Sequence, residues 1–253
     1  MKSLVVANWK MNPATVKEAK ALLDETKHMA GLLKRVSVVV CPPAIFLRDL
    51  ASGRKGKVAF GAQNVHTEER GSYTGEISVL QARDAKAAYV IVGHAERRSP
   101  PAGGGESNDD VRKKVDTVLA AGLTPIVCIG EKERGSGAEH FNVVREQLRT
   151  GLSEDAGKKL SKLIIAYEPV WAIGAPKTME PRQMHEMSIF IRKTLVERFG
   201  EAGHGIKILY GGAVDATNAA SMLRDGDVAG FLVGRASIDA KAFAELLRAC
   251  ASV

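Results

Sequence analysis

The sequence predicts an α/β fold, a single-domain (β/α)8 barrel with eight parallel strands. Eight short runs rich in Val and Ile recur along the 253 residues, each too short for a helix and apolar on both faces, as buried parallel strands are. Longer segments with helical spacing separate these runs. No Ser/Pro-rich linker or shift in composition divides the chain, so we expect residues 1–253 to form one barrel domain.

The predicted strands follow one another at intervals that leave room for a helix after each. They lie near residues 4–9, 36–41, 57–62, 87–92, 123–129, 162–167, 206–210 and 228–233. Segment 15–34 has apolar residues at helical spacing, and segment 179–199 carries a Pro near its start and a Gly after its end, which is typical of a helix. A doubly wound open sheet is the alternative, but residues 8–12 (NWKMN) stand where it would need a G-x-G-x-x-G motif.

The charge pattern argues against a nucleic-acid partner. The formal net charge is +7, but the Lys and Arg residues are dispersed, and the densest cluster, residues 54–57 (RKGK), has no aromatic neighbours. We expect a solvated basic surface that attracts a small anionic substrate.

Neither a membrane span nor a metal site is indicated. The longest uncharged apolar stretches are well short of the roughly 18 residues that a spanning helix needs, and the first residues show no cleavable signal pattern. We therefore expect a cytoplasmic protein without membrane association. The cysteines are odd in number and lack CxxC spacing, which argues against a disulfide framework or a structural zinc site. They are Cys41, Cys128 and Cys250.

Candidate catalytic residues occur where the predicted strands end, which is where (β/α)8 barrels carry their chemistry. Polar groups and glycines follow strands 1, 4, 6, 7 and 8: Asn8 with Lys10, His94, Glu168, Gly211 with Gly212, and Gly234. Taken singly, a Lys is usually solvated, a His usually structural and a strand-end Glu often a helix cap. Their occurrence on one rim favours an active site.

Several longer segments resemble one known family, in that family's order along the chain. They are ANWKMN (7–12), GAQNV (61–65), YTGEIS (73–78), GH followed by ERR (93–98), CIGE (128–131), AYEPVWAIG (166–174), YGG (210–212) and FLVG (231–234). The combination resembles the triosephosphate isomerase family from end to end. The segments around Glu168 and around Asn8 and Lys10 are the most specific.

The resemblance implies an isomerase of glycolysis and gluconeogenesis that interconverts dihydroxyacetone phosphate and glyceraldehyde 3-phosphate without a metal or organic cofactor. This reaction needs a base that takes a proton from carbon and a donor that stabilises the enediolate oxygen. The resemblance makes Glu168 the base and a neutral His94 the electrophile, a pairing for which this family is the standard example. It also implies that Lys10 supplies positive charge and that Asn8 orients both Lys10 and the substrate.

Phosphate binding is assigned by the resemblance to backbone N–H groups. The groups belong to Gly174, to Gly212 or Ala213, and to Gly234 and Arg235, in loops that lead into short helices after strands 7 and 8. Glycine also suits a tight turn, and both roles are compatible.

The residues after Glu168 are interpreted as a lid that closes over the substrate and excludes water. This explains an apolar stretch where a polar loop would be expected, because an enediolate phosphate exposed to water would lose its phosphate. The lid comprises Pro169, Val170, Trp171, Ala172, Ile173, Gly174, Ala175, Pro176 and Lys177.

A homodimer is the expected assembly. The segment from Gln63 to Glu76 is long for a barrel loop. In the family this loop inserts into a neighbouring subunit, which places Thr74 near the neighbour's Asn and Lys. A tetramer stays open.

The chain departs from the family pattern at five places. Ala95 replaces a Ser, segment 99–105 is longer and lacks a Phe, Pro176 replaces a Gly, Ala213 replaces a Ser, and Arg235 replaces a Gly. These departures concern the resting position of the base, the closed lid and the phosphate site.

Two other functions remain as alternatives, a different phosphate-handling barrel isomerase and a non-catalytic barrel that binds phosphate or serves as a scaffold. A scaffold has no physical need for the four catalytic candidates together. Their joint presence therefore favours the active isomerase.

Overall fold

The computed structural model describes residues 2–52, 56–100, 103–135, 137–172 and 178–253. Within these ranges eight strands form a closed barrel, each parallel to both neighbours and in sequence order around the barrel. The strands are β1 Ser3–Asn8, β2 Val36–Cys41, β3 Val58–Ala62, β4 Tyr89–Val92, β5 Thr124–Ile129, β6 Ile164–Tyr167, β7 Lys207–Tyr210 and β8 Gly230–Val233. The predicted fold is confirmed.

α-Helices connect the strands. They are α1 Val16–Leu32, α2 Ala44–Ala51, α3 Val79–Asp84, α4 Ala95–Arg98, α5 Asn108–Ala120, α6 Glu139–Gly151, α7 Glu154–Gly157, α8 Pro181–Phe199, α9 Ala219–Asp225 and α10 Ala240–Ala251. Short 3-10 turns lie at Leu160–Lys162, Val170–Ala172, Gly200–Gly205 and Arg235–Ile238.

Local sequence signals set several of these boundaries. The Thr15 side chain accepts a hydrogen bond from the Glu18 N–H at 3.2 Å, and the Glu18 carboxylate accepts one from the Thr15 N–H at 3.1 Å. This capping box starts α1 one residue after the predicted start. β6 begins two residues later than predicted because a 3-10 turn precedes it, closed by the Leu163 N–H donating to the Leu160 carbonyl at 3.0 Å.

The strands pack on both faces, as their continuous apolar character predicts. In β1, Leu4 and Val6 belong to a cluster made of strand residues and their immediate neighbours, which fills the barrel interior. Val5 and Ala7 belong to a larger cluster that includes residues of the surrounding helices. The barrel is therefore a packed core, and a functional site must lie at one of its ends.

The cysteines contribute packing. All three are free and buried. Burial raises the pKa of the Cys250 thiol to about 12.

No helix in the described ranges combines the length and the apolar character needed to cross a bilayer.

Candidate active site

A cavity of about 570 Å³ opens at the rim formed by the C-terminal ends of the strands. The four predicted catalytic side chains, Asn8, Lys10, His94 and Glu168, all line it. The closed barrel brings these residues together because they end or follow three different strands, β1, β4 and β6.

The turn after β1 directs Lys10 across the rim. Lys10 has a φ of 52°, which is uncommon for a residue with a side chain. Its N–H donates to Oδ1 of Asn8 at 3.1 Å, and its carbonyl accepts from Nε2 of Gln63 at 2.8 Å. Asn8 is 5 % exposed, so its amide is fixed within the rim. These two hydrogen bonds hold the unusual backbone conformation.

The Lys10 ammonium is paired with Glu96. Nζ lies 2.5 Å from Oε1 of Glu96. Partial burial by itself would raise the pKa of Glu96, but the hydrogen bond and charge of Lys10 outweigh it and hold that pKa below its ordinary value. Gly234 leaves room for this arrangement, since a Cβ there would lie 3.3 Å from Cε of Lys10.

His94 is the N-cap of α4, and this position determines its tautomer. Its Nδ1 accepts a hydrogen bond from the Glu96 N–H at 3.2 Å. A ring nitrogen that accepts from an amide carries no proton, so the neutral ring carries its proton on Nε2. Nε2 lies 3.2 Å from Oε1 of Glu168 and lines the cavity as a hydrogen-bond donor.

Glu168 directly follows β6 and is only 3 % exposed. Its Oε2 accepts from the Ala95 N–H at 2.9 Å, and its own N–H donates to the Ile129 carbonyl at 2.7 Å. The carboxylate therefore keeps a donor although Ala95 has no hydroxyl. A Cβ at Gly211 would lie 2.8 Å from Cγ of Glu168, so glycine is needed there to accommodate the side chain.

Two buried residues behind Glu168 were not singled out from the sequence. Burial and the neighbouring Glu168 carboxylate raise the pKa of the Cys128 thiol, so the thiol stays protonated. Glu131, 1 % exposed, accepts from Nε1 of Trp171 at 2.8 Å and from the Tyr167 hydroxyl at 2.8 Å. The sequence signal for both was the CIGE segment, residues 128–131, which begins with the last two residues of β5.

The first part of the predicted lid is firmly attached. Val170–Ala172 forms a 3-10 turn, the Val170 N–H donates to the Glu131 carbonyl at 3.0 Å, and Ala172 is buried. Pro169 precedes this turn. The remaining lid residues, Ile173, Gly174, Ala175, Pro176 and Lys177, lie outside the described residues.

The described chain resumes after the lid at Thr178 and Met179, near Tyr210 of β7. Thr178 lines the cavity, and Met179 is buried. The Tyr210 hydroxyl is buried near the Met179 backbone and makes no hydrogen bond of normal geometry within the described ranges. Burial raises the pKa of Tyr210 to about 12.

Backbone amides form the other side of the cavity. Gly212, Ala213, Gly234 and Arg235 all line it. Among the described residues, none of their N–H groups donates to a protein acceptor. The Arg235 side chain is exposed. Four backbone donors and the Lys10 ammonium thus border one cavity, an arrangement that suits an anion.

The predicted contact residue Thr74 is exposed in the long loop after β3. Across the ranges that the structure describes, no group of three or more His, Cys, Asp or Glu side chains is arranged to hold a metal ion.

Comparison with known proteins gives a consistent result. A family model described as triosephosphate isomerase matches residues 3–250. A triosephosphate isomerase from Endomicrobium trichonymphae is 41 % identical over 250 residues, covering 98 % of both chains, and one from Granulibacter bethesdensis is 41 % identical over 257 residues, covering 99 % of this chain and 100 % of that one. The crystal structure of triosephosphate isomerase from Bartonella henselae is similar with a TM-score of 0.86 and 32 % identity, covering 98 % of this chain and 99 % of that chain.

Proposed function

The chain belongs to the triosephosphate isomerase family, and on this premise we propose that Glu168, His94, Lys10 and Asn8 perform the family's reaction in it. The chain is an isomerase that interconverts dihydroxyacetone phosphate and glyceraldehyde 3-phosphate, a step of glycolysis. We propose that residues 1–253 act as one catalytic domain and that the protein is cytoplasmic, where glycolysis takes place.

The observation that carries the assignment of roles is the 3.2 Å separation of His94 Nε2 and Glu168 Oε1 at the cavity wall. Glu168 takes a proton from the hydroxyl-bearing carbon next to the carbonyl, and the electron pair of that C–H bond forms the new carbon–carbon double bond. The resulting enediolate carries negative charge on oxygen, to which the Nε2–H of His94 donates. The proton of the hydroxyl group passes to the former carbonyl oxygen, and Glu168 returns its own proton to the former carbonyl carbon, so no atom is gained or lost.

Charge balance at the cavity supports the role of Lys10. Glu96 pairs with the Lys10 ammonium at 2.5 Å. An anionic substrate adds negative charge at the cavity that Lys10 lines, and the ammonium then stabilises both the phosphate and the developing oxyanion. Asn8 keeps the Lys10 backbone in its unusual conformation through the hydrogen bond to its N–H.

The phosphate is proposed to bind to the N–H groups of Ala213, Gly234 and Arg235, with Gly212 beside them and Gly174 contributing from the lid. What supports this is that, within the described part of the chain, these N–H groups line the cavity and donate to no protein acceptor. Those of Gly234 and Arg235 lie at the start of the 3-10 turn Arg235–Ile238. The lid is proposed to close from the anchored Trp171 and to exclude water.

Assembly into a homodimer is proposed from exposed apolar side chains on the active-site side of the barrel. Met11, Ile45 and Tyr73 follow β1, β2 and β3 and are 92 %, 80 % and 45 % exposed. Exposed apolar residues on one end of a domain favour an interaction surface at that end. A second cavity of about 450 Å³ lies beside Asn8 and Lys10, and we propose that it receives the partner subunit's loop with its Thr74. Light scattering on the purified protein should give twice the mass of one chain, and a fully active single chain would contradict this.

The function is tested by a coupled assay with glyceraldehyde 3-phosphate and by inhibition with a phosphoglycolate-like mimic of the enediolate. Turnover with tight inhibition is expected. Tight binding of the mimic without turnover would favour the non-catalytic phosphate-binding barrel. Turnover of a different phosphorylated sugar alone would favour another isomerase of the same architecture.

A further inference from the structure

A basic surface lies at the end of the barrel opposite the active site. Because all strands are parallel, the residues that precede them gather at the N-terminal rim. Six of the eight strands have a Lys or Arg either as their first residue or among the three residues that precede the strand. These exposed residues are Lys2, Lys34 with Arg35, Lys57, Lys86, Lys162 and Lys207.

The densest part of this surface, here called the basic patch, lies where β1, β2 and β3 begin and where α1 and α10 end. Its members are Lys2, Lys27, Lys34, Arg35, Lys57 and Arg248. The Ser3 N–H donates to the Arg35 carbonyl at 2.9 Å, which places Lys2 beside Arg35. The Lys57 ammonium donates to the Gly31 carbonyl at 2.9 Å, which places it against the end of α1.

The remaining members of the patch are placed by contacts on α1. A guanidinium nitrogen of Arg248 lies 3.7 Å from Sδ of Met29. The Lys27 side chain runs beside Gly56, where a Cβ would meet it at 3.9 Å. The six cations therefore cover one continuous area.

Helix ends explain only part of this concentration of charge. Cations at helix C-termini offset the helix dipole, and Lys57 does so directly. In the described ranges, Lys2, Lys27 and Lys34 make no side-chain hydrogen bond, and no member of the patch forms an ion pair with a described acid. The charge of the patch is thus available to an outside partner.

Two aliphatic side chains lie within the patch. Leu32, the last residue of α1, is 64 % exposed, and Val253 is 44 % exposed. The Arg35 guanidinium donates to the Val253 carbonyl at 2.9 Å, so Val253 adjoins the cations. A duplex backbone offers nothing to aliphatic side chains, and the patch has no aromatic ring for stacking on bases. The surface of an anionic bilayer offers phosphate groups for the cations and an apolar boundary for Leu32 and Val253.

We propose that the basic patch docks this protein reversibly on membrane surfaces rich in anionic phospholipid, with the active site directed away from the bilayer. The proposal departs from the expectation of no membrane association. That expectation rested on the lack of an apolar stretch long enough to span a membrane, whereas the cations, although dispersed along the sequence, are gathered by the barrel at one rim. It does not depend on the assigned catalytic roles, since no member of the patch lines the active-site cavity.

Sedimentation of the intact protein with vesicles tests the proposal. One set contains phosphatidylcholine alone, and the other contains about one-third phosphatidylglycerol, at ~50 mM and ~500 mM salt. We expect binding to the anionic vesicles at low salt and its loss at high salt, where screening is strong.

A pair of matched triple variants tests the location. The patch variant combines Lys2→Glu, Lys27→Glu and Lys34→Glu; the control combines Lys17→Glu, Lys20→Glu and Lys241→Glu. The control changes the same charge at the opposite ends of α1 and α10, and within the described ranges none of the six side chains makes a hydrogen bond or ion pair. The patch variant should bind at least tenfold more weakly than wild type, and the control should stay within about threefold.

Leu32→Ser tests the apolar component and should weaken vesicle binding at unchanged charge. All variants should keep wild-type isomerase turnover and thermal melting. Absence of vesicle binding at low salt would overturn the proposal, and so would equal loss in both triple variants, which would indicate only net charge. Tighter, patch-dependent binding to duplex DNA than to vesicles would assign the surface to nucleic acid instead.

Discussion

Nε2 of His94 lies 3.2 Å from Oε1 of Glu168, and both groups are held by the first turn of α4. His94 caps this helix through Nδ1, and the Ala95 N–H donates to the other carboxylate oxygen. The proposed donor and the proposed base are thus held by the N–H groups of two successive residues of one short turn. A small change in either side chain should therefore disturb the chemistry without disturbing the barrel.

Glu168→Asp and His94→Gln should each lower kcat by about a hundredfold or more. Asp shortens the side chain of the base by one methylene, and Gln removes the imidazole donor. Because the reacting groups must be placed closely, either change should slow the reaction strongly. Steady-state kinetics measures the loss, and circular dichroism should show an unchanged fold. Glu25→Asp and His28→Gln, at exposed positions of α1, are matched controls and should keep full turnover. Near-native activity of either site variant would refute its assigned role.

Ala95→Pro should separate the resting contact of Glu168 from its catalytic role. Ala95 is the first residue of α4, where Pro is tolerated, and His94 has φ −53° and ψ 144°, which suits a residue before Pro. The substitution removes the N–H that holds Oε2. Stability should fall by about 2 kcal/mol because a buried carboxylate loses a donor. We expect Glu168 to leave this contact when it reaches the substrate carbon, so kcat/KM should stay within tenfold.

Ala95→Ser keeps the N–H and is the control for that experiment. It should retain wild-type stability in denaturant unfolding. A drop in kcat/KM of a hundredfold for the Pro variant, with stability unchanged, would show that the Ala95 contact acts during catalysis.

The sequence predicted the barrel and the rim because both depend on local pattern. Strands apolar on both faces must be buried in a parallel sheet, and a parallel barrel places Asn8, His94 and Glu168 on one rim. Contacts that depend on backbone direction were not predictable. The Ala95 N–H replaces an expected hydroxyl, and no residue type signals that a main-chain donor points at Glu168. The partners of Glu131 also emerge only when β5 and β6 pair.

Glu106 should make stability depend on pH in the acid range. Burial by itself would raise its pKa, but hydrogen bonds from Lys114 and Arg97 outweigh it and hold the pKa below the ordinary value of 4.5. Since the folded state binds this proton less readily than the unfolded state, the contribution is fully present above the unfolded pKa. It is lost as the pH falls through the lower folded pKa.

Glu106→Gln should therefore flatten the dependence of unfolding free energy on pH below about 4.5. It should also lower stability at neutral pH by about 3 kcal/mol, because Lys114 is left as a buried charge without its carboxylate partner. Urea unfolding at several pH values measures both effects. Glu25→Gln, at an exposed position of α1, is the control and should leave the slope unchanged. If unfolding free energy changed with pH as steeply in Glu106→Gln as in wild type, Glu106 would not be the source of this pH dependence.

Arg235→Gly should change the affinity for a phosphate-bearing inhibitor by less than tenfold. The Arg235 side chain is exposed, and the group proposed to bind phosphate is its backbone N–H, which glycine also has. Isothermal titration with the enediolate mimic measures the change. A larger loss would mean that the guanidinium itself reaches the phosphate. In that case Arg235→Lys should bind the inhibitor more tightly than Arg235→Gly, because it keeps the positive charge.

The last prediction concerns Ala213 and Pro176, two departures from the family pattern. In the family, the amide before the lid's Lys donates to the Ser hydroxyl that follows the Gly-Gly pair. Here Ala213 has no hydroxyl and Pro has no N–H, so neither group is left unpaired when the lid closes. Pro also restricts the unbound lid, which lowers the entropy lost on closing.

Ala213 and Thr178, the first described residue after the lid, line the same cavity, so we expect a restored hydroxyl at position 213 to face the lid. Ala213→Ser alone should change kcat/KM little, because no N–H exists at Pro176. The pair Ala213→Ser with Pro176→Gly should show a coupling free energy of at least about 0.5 kcal/mol in a double-mutant cycle on kcat/KM. Strictly additive effects would show that positions 213 and 176 do not meet when the lid closes. The absence of the hydroxyl at Ala213 and of the N–H at Pro176 would then be unrelated.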